Sequence, residues 1–214
     1  MHDHILLERV QQDLKKERSP FFSTVFTLSS HEPYTVPMET RFNGEADSSK
    51  FMNSVYYTDK AIGAFIKEAK KQTWWKNTLV VLVADHGHTL PNFDEQDAPS
   101  KFRIPLIFTG GALAKTKTIN TSVASQNDLA FSLLSQLHLP NQDFKWSKDI
   151  FNPAAKPFAF YVFNDGFGYV SDSVAFSFDN VSGQIIRKTG NITKQEIKTG
   201  KALMQLSFHD YLKR

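Results

Sequence analysis

The segment Thr78-Leu79-Val80-Val81-Leu82-Val83-Ala84-Asp85-His86-Gly87-His88 joins an apolar, β-branched run to an acid, an imidazole and a glycine. An unbroken Leu/Val run of this length reads as a strand buried on both faces, which predicts a parallel sheet covered by helices. In open α/β sheets, ligands bind beyond the carboxyl ends of the strands. Asp85 and His86 fall at that end, and Gly87 permits a sharp turn or a close approach to a ligand. A carboxylate beside an imidazole can supply two ligands to a divalent ion such as Zn²⁺ or Mn²⁺. The alternative is a strand-ending turn in which the Asp side chain bonds its own backbone. The buried strand before the pair and the polar loop after it favour the metal.

The whole chain has 214 residues, enough for one well-buried domain or a larger domain with a small appendage. Its apolar fraction of 41% and charged fraction of 22% are those of a soluble globular protein. A formal charge of +3, evenly scattered, argues against nucleic acid as a partner. With no Cys, disulfides, thiolate zinc sites and a cysteine nucleophile are excluded. No apolar run approaches membrane-spanning length, and the N-terminus lacks the apolar core of a signal peptide.

Working outward, Phe21 to Ser29 is rich in β-branched and aromatic residues and reads as a strand. It ends in the polar turn Ser29-Ser30-His31-Glu32-Pro33-Tyr34. Between the two strands, Asp47, Ser48 and Ser49 offer caps for a long helix with its apolar stripe on Phe51, Val55, Ile62, Phe65, Ile66 and Ala69. Strand, long helix and strand predict a βαβ unit with parallel strands. His31 then arrives on the same sheet edge as Asp85. Taken singly, His31 also suits a loop histidine bonded to backbone. At the N-terminus Asp3 stands as a helix cap ahead of Leu6, Val10 and Leu14, and His2 and His4 read as exposed and inert.

Residues 88–103 read as a polar loop at the rim of the sheet, followed by a short strand at 104–109, Gly110-Gly111, and a helix with the stripe Leu129, Phe131, Leu133, Leu134 and Leu137. After Pro140 the pattern changes to short strands joined by tight turns: 158–163, 169–178 and 184–187, with Asn164-Asp165-Gly166 and Ser182-Gly183 as turn chemistry. A last helix spans Lys194 to Leu212. The expected division is therefore an α/β core over 1–140 and a small antiparallel sheet with a C-terminal helix over 141–214.

FFSTVFTLSSHEPYTVP, YTDKAIGAFIKEAKKQTWWKNTLVVLVADHGH, RIPLIFTG and VASQNDLAFSLLSQL together resemble the C-terminal part of a lipoteichoic acid synthase-type catalytic domain. That family is a sulfatase-like branch of the alkaline phosphatase superfamily, and the resemblance covers nearly the whole chain. It implies an alkaline phosphatase-like α/β fold and an enzyme that transfers phosphoglycerol-type groups or hydrolyses phosphate or sulfate esters. In such enzymes a threonine nucleophile and a glutamate share a divalent metal with an aspartate and a histidine. Asp85 and His86 match the latter two, and His31 matches the histidine that faces the substrate's phosphate. Mn²⁺ or Zn²⁺ is the implied ion, with Mg²⁺ or Ca²⁺ as alternatives. Lys101 lies roughly where some sulfatases place a group-binding lysine.

The chain departs from the family pattern in one respect. No serine or threonine stands in the strand-to-helix setting that the nucleophile needs, so no catalytic nucleophile is assigned. The expectation is a C-terminal fragment of a larger enzyme, inactive alone and prone to self-association. The full-length parent would be held at the cell membrane by N-terminal segments, its catalytic domain outside the cytoplasm, acting on an ester substrate that can be lipid-linked. The fragment itself would be soluble. Alternatives are a non-catalytic binding or structural module that keeps the fold, or another metal-dependent superfamily member such as a phosphoglycerate mutase or nucleotide pyrophosphatase.

Overall fold

Two long helices meet in the N-terminal half of the chain: α1 (Asp3–Leu14) packs on α2 (Asp47–Ala69). The structure, a computed structural model, describes residues 1–115 and 117–213. It divides into two units, residues 1–94 with 104–118 and residues 95–103 with 119–214.

In the first unit α1 buries Leu7, Gln11 and Leu14, and α2 buries Asn53, Ser54, Tyr57, Ala61 and Ala69. The buried face of α2 is thus rotated from the stripe read in the sequence, and Val55 remains 40% exposed. Asn53 explains the rotation. Its carbonyl oxygen accepts the Arg41 and Phe42 N–H groups at 2.9 Å, and its amide donates to the Phe42 carbonyl at 2.8 Å. A fully satisfied amide can be buried at little cost, and it anchors the preceding loop to the helix.

Asp3 is not the cap itself. It is the first residue of α1, after His2 as N-cap, and its side chain is fully buried. The carboxylate accepts the Leu28 N–H at 2.9 Å, the Ser29 N–H at 3.2 Å and the Thr58 hydroxyl at 2.9 Å. Its neighbour His4 is exposed yet bonded through Nδ1 to the Tyr57 hydroxyl. One carboxylate therefore ties α1, the chain before the His31 turn, and α2 together.

Strand β1 (Val80–Val83) pairs with β2 (Leu106–Thr109) in antiparallel register, Val80 opposite Thr109 and Val83 opposite Leu106. The parallel pairing expected between 21–29 and 78–84 is absent among the described residues, and residues 21–28 form no strand. The cause is the lack of a partner for that segment. Without a ladder its apolar side chains stay in solvent, Phe22 at 91% and Phe26 at 76% exposure. β1 is likewise half-buried rather than buried on both faces. Just after β2, Gly110 and Gly111 let the chain pass close against the backbone that leads into β1. A Cβ on Gly110 would lie 2.2 Å from the Thr78 carbonyl oxygen, and one on Gly111 would lie 2.5 Å from that of Trp75. Only glycine fits so close to another backbone.

In the second unit, after helix α3 (Asp128–Gln136), four strands form an antiparallel sheet in chain order: β3 (Phe158–Phe163), β4 (Gly166–Ser171), β5 (Ala175–Asp179) and β6 (Gln184–Thr189). The run 169–178 is two strands, because Ser171 and Val174 close a turn between them at 2.8 Å. Phe167, Phe176 and Phe178 are the core of this sheet, with Ile197 and Met204 of helix α4 (Lys194–Leu212) packed on them. Gly200 brings α4 close, since a Cβ there would meet the Phe167 ring at 2.5 Å. Thr193 and Glu196 form a reciprocal capping box that starts the helix. The small antiparallel sheet and its C-terminal helix are as expected from the sequence.

Candidate metal and substrate site

The β-branched run of β1 ends at Val83, and Asp85 and His86 follow in the turn at its carboxyl end. Both side chains are 71% exposed, with His86 Nε2 at 3.8 Å from Asp85 Oδ2. The local-turn alternative is partly realised: Asp85 Oδ1 accepts the His86 N–H at 2.9 Å. The other carboxylate oxygen is the one turned to the imidazole. His86 Nδ1 lies 2.8 Å from the Gly87 carbonyl oxygen and donates its proton there, which leaves Nε2 as the nitrogen turned to Asp85.

This arrangement fits a metal. A ligating histidine characteristically donates its other ring N–H to a carbonyl, which fixes tautomer and ring orientation. Two tetrahedral ligands at about 2.1 Å from an ion stand roughly 3.4 Å apart. The observed 3.8 Å separation needs only a small side-chain adjustment to reach that. Asp85 and His86 provide two donor groups, and no group of three or more His, Cys, Asp or Glu side chains suited to an ion occurs among the described residues.

His31 sits in an exposed turn with Nδ1 at 3.0 Å from the Glu32 carbonyl oxygen. Its Nδ1–H is thereby engaged with backbone, as the loop-histidine alternative requires, and Nε2 is the nitrogen left for another group. Lys101 belongs to the second unit, where its ammonium bonds Gln96 Oε1 and lies 5.3 Å from the centre of the Phe102 ring.

Two residues not singled out in the sequence join the turns of the first unit. Tyr34, 6% exposed, places its hydroxyl 3.2 Å from His88 Nε2. The Leu90 N–H donates to His88 Nδ1 at 2.9 Å, so Nε2 must be the protonated nitrogen and the donor to Tyr34. The tyrosine hydroxyl in turn donates to Glu32 Oε1 at 3.4 Å. Phe51 of α2 stacks on the His88 ring with centroids 4.6 Å apart and meets Tyr34 edge-on at 5.6 Å. Burial, and next the Glu32 carboxylate, push the Tyr34 hydroxyl above its ordinary pKa, so it stays a neutral donor. The turns bearing His31 and Asp85–His86 do therefore meet, through Tyr34 and His88 rather than through parallel strands. The available signal was position: each residue lies two or three places beyond a candidate site residue in the same polar turn.

A sulfatase family model matches residues 1–139. Lipoteichoic acid synthase of Staphylococcus aureus is 28% identical over 146 residues, which is 61% of this chain and 22% of that protein. The lipoteichoic acid synthase-like protein YvgJ of Bacillus subtilis is 31% identical over 91 residues, 40% of this chain and 15% of that one. The matched stretches are thus less than a quarter of these curated relatives' lengths. The crystal structure of an alkaline phosphatase superfamily protein from Vibrio parahaemolyticus superposes with a TM-score of 0.80 at 24% identity, covering 100% of this chain and 55% of that one. An alkaline phosphatase-like fold and a family model spanning more than half of the chain lead to one assignment: the chain belongs to the sulfatase family.

Proposed function

We propose that this chain carries part of the active site of a metal-dependent enzyme that transfers phosphoglycerol-type groups or hydrolyses phosphate or sulfate esters. The observation that carries the reading is the Asp85–His86 pair: a carboxylate oxygen and an imidazole Nε2 lie 3.8 Å apart, with Nδ1 held by a backbone carbonyl. Asp85 and His86 would hold Mn²⁺ or Zn²⁺. Such an ion, when bound, supplies Lewis-acid stabilisation of negative charge on the ester oxygens. His31 would present Nε2 toward the same oxygens as a hydrogen-bond donor when protonated, its ring oriented by the bond from Nδ1 to Glu32. The similarity to lipoteichoic acid synthases supports a phosphate-ester substrate, lipid-linked in the whole enzyme, and action at the outer face of the cell membrane. No helix among the described residues is long and apolar enough to cross a membrane.

Two donor groups hold an ion weakly, because a tight site takes three or more ligands with support behind them. The chain by itself is therefore expected to bind Mn²⁺ or Zn²⁺ weakly at Asp85–His86 and to turn over neither nitrophenyl phosphate nor nitrophenyl sulfate. Titration calorimetry with both ions, repeated on Asp85→Ala and His31→Ala, tests the roles. Asp85→Ala should abolish binding, and His31→Ala should leave it intact. Equal loss in both variants would overturn the substrate-facing role of His31. Turnover by the wild-type chain that disappears in Asp85→Ala would show that a nucleophile exists within these residues.

A further inference from the structure

Tyr34 is a buried non-glycine residue in the left-handed region, φ +61°. A side chain held there is strained and persists only where the surroundings over-determine it. What surrounds Tyr34 is His88, Phe51 and Glu32. The strained residue closes the His31 turn, since its own N–H donates to the His31 carbonyl at 3.0 Å. Its hydroxyl reaches across to the turn that follows β1. His88 is equally tied at both ends, by Leu90 to its own turn and by Tyr34 to the other.

Given the metal and substrate roles proposed for Asp85, His86 and His31, we propose that Tyr34 and His88 are positioning residues that lock the metal-holding turn to the substrate-facing turn. The chemistry needs this. A histidine aimed at an ester oxygen contributes only if it is fixed relative to the ion on the same group, and small displacements are costly. The two turns are 54 residues apart at their bonded atoms and share no ladder, so side chains must make the connection. Phe51 sets the angle: stacked on the imidazole and edge-on to the phenol, it fixes the plane in which His88 points its N–H. His88 need not touch metal or substrate to act.

The test reads each turn while the other is altered. Amide hydrogen exchange is followed in the metal-free chain at His31 and Tyr34, whose N–H groups are bonded to Leu28 and His31 carbonyls, and at Leu90. His88→Ala should speed exchange at His31 and Tyr34 about fivefold, the loss expected for one ordinary hydrogen bond. Tyr34→Phe should do the same at Leu90, and at His31 and Tyr34 the double variant should add little to His88→Ala. His88→Gln, whose carbonyl can accept from Leu90 while its amide donates to Tyr34, should restore most of the protection. Amides in the middle of α2 serve as the control for general destabilisation. Unchanged exchange across the pair, or effects at His31 and Tyr34 that simply add in the double variant, would overturn the proposal. A calorimetric Mn²⁺ titration of the same variants separates this proposal from the metal reading. If the wild-type chain takes up no Mn²⁺ while exchange remains coupled, the metal assignment fails and the lock stands. If Mn²⁺ binds and exchange is uncoupled, the lock fails alone.

Discussion

Replacing Asp3 by alanine should be among the most damaging single changes in the first unit. The carboxylate is fully buried and accepts from three donors: the Leu28 N–H, the Ser29 N–H and the Thr58 hydroxyl. Removing it leaves those donors facing apolar surroundings, and each unmet buried donor costs about 1–3 kcal/mol. Neighbouring losses do not add fully, so about 3–5 kcal/mol is expected for Asp3→Ala. That is a large share of the roughly 5–15 kcal/mol that holds a typical domain. Asp3→Asn keeps one acceptor oxygen and should lose about 1–2 kcal/mol. The assay is urea unfolding followed by tryptophan fluorescence in a Trp146→Phe background, where Trp74 and Trp75 report on the first unit alone. Amide exchange at Leu28 and Ser29 should accelerate in parallel, since the two lost bonds lead directly into the His31 turn. A loss below about 1 kcal/mol for Asp3→Ala, or an Asn variant as unstable as the Ala variant, would refute this reasoning.

In the second unit, Asp128 is ion-paired with Lys148, their side chains 2% and 17% exposed, and it also accepts the N–H groups of Ser125 and Lys148. Asp128→Ala leaves the half-buried Lys148 ammonium with only the Phe158 carbonyl and ring as partners and should cost about 3–5 kcal/mol in urea unfolding read at Trp146, while Lys148→Met added to it should recover part of that loss. Burial holds the Tyr161 hydroxyl above its ordinary pKa, so the folded state favours the neutral phenol. That contribution is fully present below about pH 10, where an unfolded tyrosine titrates, and is lost as pH rises through the higher folded value. Unfolding curves from pH 8 to 11 should therefore show a falling stability that is shallower in Tyr161→Phe, and identical slopes would contradict it.

Much was legible in local sequence because its causes are local. The turn signals around Asn164-Asp165-Gly166 and Ser182-Gly183 set the hairpins, and the span of α4 follows from its periodicity. The Val80–Val83 run and the polar turn after it marked Asp85 and His86, since a β-branched strand followed by Asp-His-Gly needs no distant partner to be recognised. His31 was marked by its polar turn, although the segment before that turn is not a strand. What failed was pairing. Residues 21–28 have the composition of a strand, but a strand exists only when another chain segment bonds to it. No strand among the described residues pairs with it, and Phe22 and Phe26 remain in solvent. Strand direction was also misread, because the path of residues 84–105, which brings 106–109 back antiparallel to β1, has no local signature.

The sequence by itself determined the family, the acid–imidazole pair and the helices and hairpins, all of which depend on residues close together in the chain. Tertiary structure alone decided which polar groups would be buried and what would hold the candidate site together. Asp3 reads only as a helix cap until Leu28, Ser29 and Thr58 are brought to its carboxylate. Tyr34 and His88 read as ordinary turn residues until folding sets a phenol 3.2 Å from an imidazole 54 positions away. The physical reason is the same in each case: hydrogen bonds and ring contacts act over a few ångströms, and only the fold decides which distant residues come within that range.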